Sequence, residues 1–139
     1  MFEGRVLPIT LIEKLGHAFL KQRIPYKIEK ETLIAKIHGH PIVIEHDTDA
    51  KMYRIIVLTN IDLKQAKSSL ILGLLNKNFS LLDAKIASDP EDYLSVVSEI
   101  PENCLTNNDV KLVLEKVNKL IYYTENVVRA IARKGGKER

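Results

Sequence analysis

The sequence predicts an α+β fold, an antiparallel sheet of five or six strands flanked by three helices, and three observations predict it. Apolar residues alternate with polar ones in several short runs separated by turn residues. The connections between the early runs are too brief for crossovers, so they imply hairpins. The period becomes helical only at the start, in the middle and at the end of the chain, which places the helices together on one face. At its five-strand count the order is α-β-β-β-α-β-β-α.

After an irregular opening that ends at Pro8, Thr10 and Glu13 have capping-box spacing. Leu11, Ile12, Leu15, Ala18 and Phe19 follow at helical intervals, so a first helix is expected over residues 10–22, with Pro25 barring its continuation. Gly16 inside it costs about 1 kcal/mol relative to alanine. Alternation begins at Tyr26 and Ile28, resumes at Leu33, Ala35 and Ile37, and again at Ile42 and Ile44. Lys30-Glu31, Gly39-His40-Pro41 and Asp47-Thr48-Asp49 are the expected turns. From Met52 to Thr59, Arg54 among Ile55, Ile56, Val57 and Leu58 suggests a central strand with most of both faces covered.

The middle helix is expected over residues 62–76, with Asp62 as N-cap and Gln65 as its capping-box partner. Leu63, Ala66, Leu70, Gly73 and Leu74 fall on one face, whereas Ile71, Leu72 and Leu75 do not. A helix apolar on nearly all sides is covered from two directions, by its own chain or by a second copy. A second hairpin then pairs Leu82, Ala84 and Ile86 with Leu94, Val96 and Ile100 around Asp89-Pro90-Glu91-Asp92. Pro101 closes it, and Thr106 with Asp109 or Asn107 opens the longest helix. Its stripe is Val110, Val113, Leu114, Val117, Leu120, Ile121, Val128 and Ile131, and Gly135-Gly136 is expected to stop it near Arg133. Residues 1–134 read as one domain and 135–139 as a disordered basic tail.

This order resembles the YbjN family, whose members look like class I type III secretion chaperones. The resemblance also rests on Asn76-Lys77-Asn78-Phe79 leading out of the middle helix, and on Ser98-Glu99-Ile100-Pro101 through Leu105-Thr106 leading into the last. It covers roughly Thr10 to Ala132. It implies homodimerisation through the middle helix or its neighbouring strand, and protein binding rather than catalysis, with a client added as strands to sheet edges. Many secretion chaperones are acidic, and this chain is not.

The composition is that of a soluble globular protein, 45% hydrophobic and 28% charged, with no apolar run long enough to span a membrane. A cytoplasmic location is the default. Cys104 is the only cysteine, which excludes an internal disulfide and a cysteine-rich zinc site. Residues 129–139 carry +4 of the formal net charge of +3, leaving the remainder at −1. The basic set Arg129, Arg133, Lys134, Lys137 and Arg139 has two readings: it complements the dipole of a helix C-terminus and keeps the chain soluble, or it contacts the phosphates of nucleic acid or an acidic partner. No aromatic residue accompanies it to stack on bases.

His38, His40 and His46, with Asp47 and Asp49 nearby, are the one metal-like group, and a turn through Gly39-His40-Pro41 would scatter them. No glycine-rich phosphate loop is present, and Ser68-Ser69 sits in a helix where small residues permit close packing. Tyr122-Tyr123 are expected on the sheet-side margin of the last helix. No catalytic residue, cofactor site or assigned metal site emerges. The expected function is therefore a non-enzymatic protein-binding module, chaperone-like or regulatory, acting as a homodimer on an unknown protein client. Leu70, Ile71, Leu72 and Leu75 are the expected dimer interface. A nucleic-acid-associated protein using the basic tail is the alternative, and a metal-dependent enzyme at the histidine group is the third reading.

Overall fold

A computed structural model of the chain describes residues 10–78 and 84–137, with the backbone alone for residues 78 and 133–137. Helix α1 (Leu11–Lys21) precedes four strands, β1 (Tyr26–Glu29), β2 (Thr32–Ile37), β3 (His40–Asp47) and β4 (Met52–Asp62). Helix α2 (Ser68–Asn78), strands β5 (Lys85–Ser88) and β6 (Tyr93–Pro101) and helix α3 (Val110–Lys137) follow. All pairings are antiparallel, in the order β1-β2-β3-β4-β6-β5. The sheet has the larger of the two strand counts expected, because four strands rather than three precede α2.

The Thr10 cap of α1 is formed as its spacing predicts. The Glu13 amide donates to Thr10 Oγ1 at 3.2 Å, and Glu13 Oε1 accepts from the Thr10 amide at 3.3 Å. Leu11, Ile12, Leu15 and Phe19 are buried, and Gly16 has a packing role. A Cβ built on Gly16 would stand 2.9 Å from Tyr26 Cε2 and 3.0 Å from Ile28 Cδ1, so its absence lets α1 lie directly on β1.

Strand register explains the core. Tyr26, Ala35, Ile42, Val57, Val96 and Ile86 form one row across all six strands, on the same face as Leu33, Ile44 and Ile55. Helices α1 and α3 cover this face, α3 through Val113, Val117, Leu120, Ile121 and Val127. The helical stripe bends toward Val127 rather than Val128, and includes Thr124, whose hydroxyl donates to the Leu120 carbonyl at 2.8 Å.

Several boundaries differ from expectation. His38 and Gly39, with φ of 51° and 82°, make the two-residue turn, so His40 and Pro41 belong to β3. Pro41 precedes the β3–β4 pairing, which starts at Ile42, and its missing N–H interrupts no bond there. Strand β4 is central, yet only Ile55 and Val57 are buried; Arg54, Ile56 and Leu58 lie half-buried on a face that no described helix covers.

The middle helix is shorter than predicted and begins later. β4 runs on to Asp62, whose carboxylate caps a single 3-10 turn at Leu63–Gln65 by accepting from the Lys64 amide at 2.9 Å, not through Gln65. The Leu63 amide donates to the Asp92 carbonyl, and Ala66 is extended, which separates that turn from α2. At the other end, α3 continues through Gly135-Gly136 to Lys137, past the expected stop and into the predicted tail. Glycine lowers helix propensity without forbidding the conformation, and no proline follows. Leu82 and the opening through Pro8 lie outside the described residues, as do Glu138 and Arg139.

The close approach at Gly16 yields a direct test. Gly16→Val is expected to destabilise the protein by about 1–3 kcal/mol in urea unfolding, because its branched side chain must displace Tyr26 and Ile28. A variant as stable as the parent would show that α1 does not lie this close to β1.

Candidate binding surfaces

Helix α2 packs at the β5 side of the sheet, where Leu74 joins Ile86, Leu94 and Val127 in a second apolar cluster, with Leu63, Leu70, Ile61 and Ile131 against it. Of the residues expected at a dimer interface, Leu70 thus turns toward the chain's own core. Ile71, Leu72 and Leu75 face outward, 36%, 61% and 58% exposed. At i, i+1 and i+4 they share one side of the helix, so the apolar surplus in the sequence forms a coherent strip. Among the described residues no other part of the chain, α3 included, covers that strip.

Among the described residues β1 and β5 are the edge strands, at opposite ends of the sheet. β1 is four residues long and carries Lys27 and Glu29, whose side chains pair with each other at 3.0 Å. Short length and charge are the usual protection of an edge against unintended pairing. β5 forms the other edge, beside α2.

The uncovered face of the sheet has two contrasting rows. Ile34, Val43, Ile56 and Val97 align across β2, β3, β4 and β6, each half-buried. Beside them Arg54 Nη1 donates to Glu45 Oε1 at 3.1 Å and to Asp47 Oδ2 at 2.8 Å, and its Nε to Glu99 Oε2 at 3.0 Å. Lys85 Nζ donates to Glu99 Oε1 at 2.8 Å, so one network links β3, β4, β6 and β5. Three carboxylates hold the Arg54 guanidinium charged. The Glu99 carboxyl is lowered from its ordinary value by its bonds from Lys85 and then Arg54, and that of Asp47 by the Ala50 amide and then Arg54. Fully paired groups of this kind brace strands and offer no free acid or base.

The structure does not bring the three histidines together. His38 lies in the turn, and His40 and His46 are six residues apart on one strand, about 20 Å at strand rise. His40 Nε2 meets Glu125 of α3 at 3.3 Å, and His46 Nε2 meets Glu102 at 2.7 Å while its ring stacks on Tyr53 at 4.2 Å. Burial, with Glu102 and Glu31 nearby, raises the Tyr53 phenol above its ordinary value. Among the described residues no three His, Cys, Asp or Glu side chains converge as a metal site. Of the basic set, Arg129 is exposed and donates to Asn126 Oδ1 at 2.7 Å; the side chains of Arg133, Lys134 and Lys137, and Arg139 altogether, lie outside what is described. Cys104 is exposed on a 3-10 turn, Tyr122 is 60% exposed rather than packed on the sheet margin, and Tyr123 packs against the core.

With the strand order, the one-sided helices and the α2–β5 corner established, comparison with solved structures is decisive for the fold. The chain has a YbjN-like, type III secretion chaperone-like fold. It superposes on a chain of the HopA1-SchA chaperone-effector complex with a TM-score of 0.63 over 84% of this chain and 88% of that one, at 13% identity. YbjN from E. coli aligns with a TM-score of 0.58, covering 93% and 97% at 13% identity. The match to a chain of the Yersinia pestis secretion chaperone SycH in complex with a fragment of YscM2 has a TM-score of 0.53, covering 81% and 98% at 18% identity. No family model and no curated protein matches the chain. At these identities the likeness to the chaperone-like structures is one of fold. No described helix is long and apolar enough to cross a membrane.

The Arg54 network predicts an acid dependence of stability. Asp47 and Glu99 have lowered values in the folded protein, so their contribution is complete above the ordinary carboxylate range near pH 4 and fades as pH falls through the lower folded values. Arg54→Met is expected to lower Tm by several degrees at pH 7, with the difference from the parent shrinking between about pH 5 and pH 2. Thermal unfolding followed by circular dichroism across that range checks it. A difference independent of pH would show that the two carboxylates do not draw their stabilisation from Arg54.

Proposed function

We propose that the protein is a non-enzymatic protein-binding module, a chaperone-like or regulatory adaptor that acts as a homodimer in the cytoplasm. The observation that carries this reading is the outward strip of Ile71, Leu72 and Leu75 on α2. Single exposed leucines need no explanation, but three large apolar side chains on one face of an eleven-residue helix mark an interaction site. The helix is anchored from beneath by Leu70 and Leu74, so the strip is held in place rather than free to fold inward. In the isologous arrangement each copy offers the same strip to its partner.

Pairing at the α2–β5 corner is remote from β1, the edge strand at the far end of the described sheet. A client added there as an extended segment gains main-chain hydrogen bonds from β1, with side-chain contacts supplying selectivity. The SchA and SycH structures are complexes with a second protein, the first an effector, which supports a protein partner for this chain.

Light scattering tests the assembly. At tens of micromolar the parent is expected to have twice the mass of the chain, and Leu72→Glu to be monomeric with an unchanged circular dichroism spectrum. A monomeric parent would remove the dimer from this reading, and a Leu72→Glu dimer would move the interface away from α2.

A further inference from the structure

We draw no further inference here: the strongest candidate, the half-buried apolar row of Ile34, Val43, Ile56 and Val97 on the uncovered face of the sheet, carries none, because nothing in the structure shows what covers it.

Discussion

The packing of α1 and α3 on a single face of the sheet, over Leu33, Ile42, Ile44, Ile55, Val57 and Val96, determines what every other surface has available to it. Two helices fill that face from β1 to β6, with Gly16 permitting the closest approach at the β1 end. Helix α2 is left the corner over β5, where Leu70 and Leu74 suffice to hold it. Its remaining leucines have nothing of the described chain to rest on. Because buried apolar area is the principal favourable term in association as in folding, that strip is the feature of the molecule most in need of a partner.

The second consequence of one-sided coverage is the uncovered face. A bare apolar row across β2, β3, β4 and β6 would be a liability, and the neighbouring row answers it with Arg54 and its three carboxylates. The network joins four strands on the solvent side while the apolar core joins them on the other. Removing Arg54 would leave three carboxylates close together, so the network is better regarded as a brace than as a collection of surface pairs.

Much of this was legible in the sequence because its signals are local. Thr10 with Glu13, the alternation through Leu33, Ala35 and Ile37, and Asp89-Pro90 each encode their own structure within a few residues. The exposed strip was also legible, since Ile71, Leu72 and Leu75 fall off the face defined by Leu70 and Leu74. What escaped depends on tertiary partners. The hydrogen bond from Leu63 to Asp92 separates the 3-10 turn from α2, and no helix-start rule sees a residue 29 positions away. Arg54 looked like a charge in a covered strand because its acids come from β3 and β6.

Cross-linking on α2 tests the central claim most directly, because it reports which residues meet as well as whether copies meet. With Cys104→Ser removing the native thiol, Leu72→Cys and Leu75→Cys are introduced one at a time and oxidised mildly. A second copy seated on the strip predicts rapid disulfide-linked dimer from at least one of these positions, and little from Leu20→Cys, an equally exposed site on α1. Cross-linking no faster from α2 than from Leu20→Cys would contradict the account and leave the strip to some other partner.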